Sequence, residues 1–358
     1  MGLLAEFPFI KPEGGKQYSK AVAAAFILTA LVRRILPTAP GFVFSAPQAG
    51  TGKSYLVECG CMLAFGYESI DPIPFSDDVD EQRKTFASFA IEGPEIIFFD
   101  NAEGIIGGEV LCMWMTSTTF KARGLGKNET IYGPTNSLMV FTGNHATIKA
   151  DATRRFLLCE MDAEVDCPEL REFKNPDLFG YIRDNRPSLV AAGLTWLLGY
   201  LVAEDKPQLS PFGSFEQWSN LVRGAVLWAG LDDPLGSREA IQAKDPAREE
   251  LTEILRLWWK TFNEFRPNEF KKVSEALEEP AIADFFRNLG LTDKKGDVSS
   301  KSVGRWISDR MGKVINIVMN PDDEPPIPPR IEPLRIELKN VKTGGVKQYR
   351  VTAVKPQS

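Results

Sequence analysis

The stretch GFVFSAPQAGTGKS, residues Gly41–Ser54, decides the fold. Its first part, Gly41–Ala46, is a short apolar run that predicts a buried strand, and Lys53–Phe65 (KSYLVECGCMLAF) predicts a helix just after the loop. Gly50 and Gly52 let the loop backbone turn its N–H groups inward around phosphate oxygens. The start of the helix adds the positive end of its dipole. Strand, glycine loop and helix in this order predict a phosphate-binding loop.

The loop is expected to bind ATP with Mg²⁺. Lys53 would reach the β- and γ-phosphates, and the Ser54 hydroxyl would coordinate the metal. The full pattern has glycine where this chain has Pro47, but the GKS end is intact. The expected nucleotide-binding residues are Pro47, Gln48, Ala49, Gly50, Thr51, Gly52, Lys53 and Ser54.

Further buried strands are predicted downstream, with a helix over Asp78–Glu92 before them. The strand segments are Glu95–Asp100 (EIIFFD), Ser137–Thr142 (SLMVFT) and Phe156–Met161 (FLLCEM). Strands that alternate with helices indicate an α/β domain with a mostly parallel sheet, over about residues 35–165.

Asp100 ends the second of these strands, where an aspartate can hold Mg²⁺; a plain strand-end cap is the alternative. The next residue is Asn101, which can orient a water but cannot accept its proton. Glu103 follows two residues later and is a candidate for that role. The sequence therefore leaves the general base open.

Two later motifs are candidates for contact with the γ-phosphate. Asn144, in FTGN after the third strand, could orient the attacking water, although asparagine there is also a common turn former. Arg154 and Arg155 precede the last strand. One of them could act as an arginine finger across a subunit boundary, and a surface ion pair is the alternative.

Composition excludes several classes of protein. The chain has 358 residues, 43% hydrophobic and 25% charged, as in ordinary globular proteins of two or three domains. Five cysteines and a single histidine do not fit a disulfide scaffold or a zinc site. The longest apolar run, Ala21–Val32, is too short to span a membrane. We expect a soluble, cytoplasmic protein with a buried helix there.

The charge is unevenly distributed. The net charge is −6, but residues 294–358 hold 13 Lys/Arg against 7 Asp/Glu, so the tail carries +6 and the rest −12. A basic tail on an acidic body fits contact with an acidic polymer, and a solvated basic face is the alternative.

The second half of the chain is predicted to be mostly helical, with a β-hairpin near its end. On a helix opening at Asp245-Pro246, an apolar stripe of core residues is predicted. A helix followed by a basic β-hairpin is typical of a winged-helix module. The expected helices are Leu178–Ala203, Phe215–Ala229 and Ser299–Ile315, and the hairpin strands are Leu334–Val341 and Val346–Val354.

The order of motifs GTGKS, FFDN, RGLG (Arg123–Gly126), TGN and TRR resembles the AAA+ helicase part of phage, plasmid and integrated-element primase–helicases, relatives of the superfamily 3 helicases. The resemblance covers about residues 5–235, and more loosely the tail. That family usually carries a primase or other domain upstream. The chain is therefore expected to be a fragment or a stand-alone version, with a primase domain or protein as a further partner.

The resemblance implies a homo-hexameric ring that threads DNA. In it Lys53, Ser54 and Asp100 would serve ATP and Mg²⁺, Asn144 would be the sensor, and Arg154 or Arg155 the finger. A Gly-rich basic hairpin at residues 121–134 would line the pore. The expected DNA contacts are Lys121, Arg123 and Lys127, and a solvated loop is the alternative.

Together these features predict four segments and one leading function. The segments are a helical lead-in (1–34), an AAA+ P-loop ATPase core (35–165), a helical lid region (166–290) and a winged-helix-like basic domain (291–358). The function is an ATP-driven DNA helicase in replication of a mobile element. An initiator or helicase loader that binds ATP without unwinding DNA is the alternative, because of Asn101. The basic tail argues against a remodeller of proteins.

Overall fold

The computed structural model describes residues 2–11, 15–102, 105–123, 130–171, 173, 175–243, 245–263, 271–311, 313–318, 331–339 and 348–353. The chain forms two compact units, Met1–Asp245 and Pro246–Ser358.

Strands occur in both units. In the first they are β1 (Gly41–Ala46), β2 (Ile96–Phe99), β3 (Ile105–Ile106), β4 (Thr119–Arg123), β5 (Thr130–Pro134), β6 (Leu138–Asn144), β7 (Thr147–Ile148) and β8 (Phe156–Glu160). In the second they are β9 (Lys271–Lys272), β10 (Val314–Val318), β11 (Ile331–Lys339) and β12 (Gln348–Ala353).

A four-stranded parallel sheet in the order β2-β6-β1-β8 lies at the centre of the first unit. Phe42 of β1 pairs with Val140 of β6 on one side and with Leu157 of β8 on the other. Beyond β2, Ile73 adds an isolated parallel bridge to Phe99. The predicted mixed α/β architecture with a parallel sheet is confirmed.

Helices of the first unit are α1 (Tyr18–Val32), α2 (Lys53–Phe65), α3 (Val79–Glu92), α4 (Glu109–Thr116), α5 (Leu178–Val202), α6 (Glu216–Trp218), α7 (Gly224–Trp228) and α8 (Ser237–Ala243). A π-helical segment, Ser219–Arg223, joins α6 and α7. Short 3₁₀ helices are Gly2–Leu4, Arg33–Ile35, Ala150–Arg154, Pro168–Leu170 and Pro234–Gly236. The second unit contains α9 (Pro246–Trp258), α10 (Val273–Ala276), α11 (Pro280–Asn288) and α12 (Ser300–Ser308), with a π-helical segment at Trp259–Asn263.

Both faces of the sheet are covered, which explains why β1 is apolar at nearly every position. Phe42 and Phe44 belong to the core that includes α1 and α2, and both contact the ring of Phe26. Val43, between them, belongs to the core on the other face, with α3 and α4. Successive residues of β1 therefore anchor two separate helical layers.

α1 and α2 approach each other closely at Gly60. A Cβ atom built there would lie 2.3 Å from Cε1 of Phe26, which is too short for any real contact. Phe26 is itself fully buried. Only glycine at position 60 lets α2 pack against the ring that fills the space above β1.

The local structure around the predicted site follows the sequence closely. α2 has the predicted bounds, and α3 begins one residue after Asp78, whose carboxylate caps the N–H groups of Asp80 and Glu81 at 3.0 and 2.9 Å. β6 extends two residues beyond its predicted end, as far as Asn144.

In the second unit, the predicted stripe of α9 is buried against α11, α12 and the β11–β12 hairpin. Its residues Leu251, Ile254, Leu255 and Trp258 share a core with Ile336 and Tyr349. The strand pairing of β11 and β12 is antiparallel, as predicted for the hairpin. Because α9 packs on that hairpin, the boundary predicted at residues 290/291 falls inside this unit.

The helix predicted over Ser299–Ile315 is shorter in the structure. It ends at Ser308, and Ile315 lies in β10, which pairs antiparallel with β11. Four of the five residues in Val314–Val318 are β-branched, and the fifth is Asn316. This sequence favours a strand once a partner strand is present.

Among the described residues, no helix has the length and apolar character needed to cross a membrane.

Candidate active site

The loop between β1 and α2 has the backbone shape that the glycines predicted. Gly50 and Gly52 adopt φ angles of +75° and +96°, in the region that side chains disfavour, and Gly52 directly precedes the first turn of α2. Thr51 closes the loop by donating from its hydroxyl to the carbonyl of Gln48 at 2.9 Å. The loop therefore ends at a helix N-terminus, where backbone N–H groups can receive an anion.

Lys53 points back over this loop. Its side-chain ammonium donates to the carbonyl of Gln48 at 3.1 Å and to Oδ1 of Asn144 at 2.8 Å. The residue is only 9% exposed. Burial lowers the pKa of its amine, and the negative charge of Asp100 partly opposes this shift. The structure thus connects two residues that the sequence separates by 91 positions.

Asp100 lies at the carboxyl end of β2 and accepts two side-chain hydrogen bonds on Oδ1. Ser54 donates from Oγ at 2.8 Å, and Thr142 donates from Oγ1. Thr142 is fully buried and also accepts the backbone N–H of Asn101 at 3.0 Å. We did not predict from the sequence that Thr142 orients Asp100. Thr142 is the first residue of the TGN motif, of which only Asn144 was proposed as a site residue.

The residues present fit a magnesium ion. Ser54 and Asp100 supply hydroxyl and carboxylate oxygens, which hard divalent cations prefer. Within the described part of the chain, Oδ2 of Asp100 accepts no hydrogen bond, so this oxygen is available for coordination. Ser54 and Asp100 are the residues that would hold the ion.

Two carboxylates are candidates for the general base. Glu103 lies outside the described residues. Glu58 was not considered from the sequence; it is half-buried and lies one turn after Ser54 on α2. Burial raises the pKa of Glu58, and the charge of Asp100 raises it further. Spacing i, i+4 on one helix face was the signal for its proximity to the site.

Asn101 occupies a tight turn after Asp100. Its φ angle is +48°, which asparagine tolerates better than most residues. Its side chain is exposed.

Arg154 and Arg155 lie at the opposite end of the sheet from the phosphate loop. Gly41, the first residue of β1, pairs with Phe156, the first residue of β8. The loop follows the last residue of β1, about 17 Å further along the strand at the usual rise per residue. The two arginines are therefore remote from the Lys53 of their own subunit.

Both arginines pair with Asp151 of the 3₁₀ helix Ala150–Arg154, at 2.6 Å from Arg154 and 2.5 Å from Arg155. They differ in exposure, since 62% of the Arg154 side chain is exposed against 12% for Arg155. Arg154 is consequently the one that can reach another molecule.

The predicted basic hairpin is present as β4 and β5, which pair antiparallel. Lys121 is exposed, and its ammonium lies 5.4 Å from the ring centroid of Tyr132 on the facing strand. Arg123 ends β4 and pairs with Thr130. Lys127 lies outside the described residues.

A cavity of about 760 Å³ opens beside the phosphate loop and was not foreseen. Its walls come from four stretches of the chain: the N-terminal segment with Phe7, α1 with Leu28, the loop and α2 with Tyr55, and the region from Pro168 to Trp196. The lining is mainly apolar and aromatic, and the volume suits a drug-sized or nucleotide-sized ligand.

Comparisons with known proteins give a loose structural relation. No family model matches the chain, and no curated protein matches it. The apo A form of the NrS-1 C-terminal region aligns at 12% identity over 98% of this chain and 78% of that chain, with a TM-score of 0.43. A second structure, of the NrS-1 C-terminal region 305–718, aligns at 13% identity over 88% of this chain and 76% of that chain, with a TM-score of 0.43.

Proposed function

We propose that the protein is an ATP-dependent, ring-forming DNA helicase that serves replication of a mobile element. The observation that carries the proposal is a pair of contacts at the carboxyl ends of the parallel strands. Lys53 contacts Asn144, and Ser54 contacts Asp100. Ammonium, amide, hydroxyl and carboxylate are the groups that bind and hydrolyse a nucleoside triphosphate.

ATP would bind across the loop and the cavity. The phosphates occupy the turn at Gly50 and Gly52, where the backbone N–H groups and the helix dipole favour negative charge. The adenine enters the neighbouring cavity, where Phe7 and Tyr55 offer apolar and aromatic surface. Mg²⁺ held by Ser54 and Asp100 would neutralise charge on the β- and γ-phosphate oxygens.

Hydrolysis is an in-line attack of water on the γ-phosphorus. The new P–O bond forms to water, the bond to the bridging oxygen breaks, and ADP leaves. Oδ1 of Asn144 has a second lone pair, which accepts from the attacking water while the third N–H of the Lys53 ammonium donates to the γ-phosphate. Asn101 cannot take the proton, because an amide is not basic. Glu103 or Glu58 takes it.

In the ring, the neighbouring subunit supplies further positive charge at the γ-phosphate. Arg154 is exposed and remote from its own phosphate loop, so its guanidinium acts on the nucleotide of the neighbouring subunit. Lys121, Arg123 and Lys127 of the β4–β5 hairpin grip DNA phosphates in the pore, without reading the sequence. A hexamer, a winged-helix fold of the basic tail, a primase partner and a cytoplasmic location belong to this proposal.

Asn101 favours one alternative, an initiator or helicase loader that assembles on DNA with ATP and does not unwind it. A strand-displacement assay on a forked duplex separates the two functions. A helicase releases the labelled strand with ATP, and the Lys53→Ala variant does not. ATP-dependent DNA binding without strand release, in a preparation with measurable ATPase activity, would establish the alternative.

A further inference from the structure

Arg238, on α8, has no acidic partner among the residues that the structure describes. Its Nε atom is buried and has no hydrogen-bond partner. The guanidinium lies over the ring of Phe212, with 5.3 Å from the carbon to the ring centroid. Across the described ranges of the chain, the guanidinium makes no ion pair, and this cation–π contact is its one polar interaction. A cation–π contact recovers only part of what a buried guanidinium loses on leaving water.

Two acids on neighbouring segments are paired with other arginines. Asp151 pairs with Arg154 and Arg155. Asp233 accepts two hydrogen bonds from Arg223, at 2.9 and 2.6 Å. These two acids and the four arginines around them form a cluster of four guanidinium groups and two carboxylates: Arg154, Arg155, Arg223 and Arg238 with Asp151 and Asp233.

The charges around Arg238 are thus repulsive. Burial lowers the pKa of its guanidinium, and the positive charges of Arg154 and Arg223 lower it further. Partly buried charges are normally paired, and an uncompensated one indicates a site for an anion.

α8 is held firmly next to the segment that carries Arg154. It packs against the 3₁₀ helix Ala150–Arg154 and against β8, and Ser237 accepts the backbone N–H of Leu158 at 3.2 Å. Arg238 is therefore positioned by the edge strand of the sheet, at the same end as Arg154. The segments that carry the two cations therefore pack against each other in the first unit.

We propose that Arg238 and Arg154 together form a binding site for phosphate, and that its ligand is the γ-phosphate of ATP held by the adjacent subunit. This inference rests on the proposed function. A guanidinium offers planar donors that match phosphate oxygens, and two of them spread the charge that develops during transfer. Phosphate oxygens would give Nε of Arg238 the hydrogen-bond acceptor that it lacks among the described residues.

The test uses mixtures of full-length variants. Arg238→Gln alone should hydrolyse ATP about 10- to 1,000-fold more slowly, as expected for loss of one donor to a transition-state charge. It should still bind ATP normally, because Lys53 and Asp100 are its own. Mixed with Lys53→Ala it should regain activity, since each variant supplies what the other lacks.

A mixture of Arg238→Gln with Arg154→Ala should be no more active than its two components, because both variants lack part of the same donated surface. Regained activity in this mixture, or none in the mixture with Lys53→Ala, would overturn the proposal. In the second case Arg238 would act within its own subunit. Arg183→Gln, at an exposed arginine of α5 away from the cluster, is the matched control and should keep full activity.

Two further measurements separate a functional from a structural role and identify the source of the phosphate. Loss of an unpaired charge should leave the thermal midpoint of Arg238→Gln unchanged or raised, whereas a structural role predicts a fall. Arg238→Lys, which keeps the charge, guards against misfolding and should regain part of the activity.

The salt dependence of DNA binding by Arg238→Gln should equal that of wild type. A slope smaller by about one unit would assign the site to DNA phosphates and overturn the nucleotide assignment. If wild-type protein shows no ATPase activity, or Lys53→Ala keeps it, the proposed function fails first and this inference fails with it.

Discussion

The ammonium of Lys53 donates a hydrogen bond to Oδ1 of Asn144 at 2.8 Å, so the first turn of α2 is joined to the last residue of β6. The ammonium has three N–H donors and uses two of them, toward Gln48 and Asn144, so the third is left for a phosphate oxygen. Under the proposed function, a γ-phosphate that accepts from this third N–H would lie beside Asn144. Nucleotide binding and the positioning of water would then be coupled through the contact of Lys53 with Asn144.

Asn144→Ala tests this coupling. The variant should bind ATP with nearly unchanged affinity, because the phosphate contacts of Lys53 and the loop remain. Its single-turnover hydrolysis should fall by about 10- to 100-fold, since water is no longer oriented. Equilibrium binding of ATP and rapid-quench kinetics measure the two effects. A large loss of affinity with an unchanged hydrolysis rate would contradict the role given to Asn144.

Lys53→Ala should abolish ATP hydrolysis and keep the fold. The lost ammonium is the main cation of the loop, and its removal also relieves the cost of a buried charge, so thermal stability should not fall. Steady-state phosphate release and circular dichroism are the measurements. Lys84→Ala, at an exposed lysine of α3 paired with Glu81, is the control and should hydrolyse ATP normally. Turnover near the wild-type rate in Lys53→Ala would remove the ATPase site from this loop.

Neutralising the hairpin cations tests DNA binding. With Lys121, Arg123 and Lys127 changed to Gln, affinity should fall alike for all DNA sequences, and the slope of log K against log salt should shrink by about one unit per lost contact. Fluorescence anisotropy at several salt concentrations gives the slope.

The control for the hairpin variant changes the same number of charges elsewhere. Arg83, Lys84 and Arg183 are exposed cations on α3 and α5, and each pairs with an acid beside it. Their replacement by Gln should leave the salt slope nearly unchanged. Equal slopes for wild type and the hairpin variant would exclude the hairpin as a contact.

Subunit mixing tests the ring. Arg154→Ala lacks the donated arginine but keeps its own loop, and Lys53→Ala has the reverse defect. Their mixture should therefore regain ATPase activity, and the activity of wild type should rise more steeply than linearly with protein concentration. Mixtures shown by mass photometry to contain both variants, yet inactive, would leave Arg154 as a structural partner of Asp151.

Gly60→Ala tests the close approach of α2 to Phe26. Helix propensity favours alanine by up to about 1 kcal/mol. The added carbon would lie 2.3 Å from the ring, however, and overpacking of this kind costs about 1–3 kcal/mol. We expect a net loss of stability in urea unfolding. Gly213→Ala, where the new carbon meets nothing within 4 Å, is the control and should change stability little.

Local signals explain which parts of the fold the sequence predicted. β1 and α2 have their predicted bounds because a buried apolar run and a glycine loop are encoded in adjacent residues. Asp100 was found for the same reason, since it ends an apolar strand. By contrast, the end of α12 was misplaced, because pairing with β11 decides that Ile315 is in a strand.

The features that were missed depend on contacts between distant segments. The cavity needs Phe7, Tyr55 and Trp196 to meet, and no periodicity in any of the three segments indicates this. Thr142 orients Asp100 only because β2 and β6 are neighbours in the sheet. Arg238 becomes notable only when the acids around it are seen to be paired with other arginines.

The cavity beside the phosphate loop has a consequence for pharmacology. Under the proposed function, the turn at Gly50 and Gly52 would recognise phosphate through its peptide groups, whereas the cavity would contact a ligand through side chains. A small inhibitor that fills the apolar space between Tyr55 and Trp196 would owe its selectivity to those side chains and would not need to imitate a triphosphate. Resistance would then arise in the walls of the cavity, whose side chains can change while the backbone of the loop is kept.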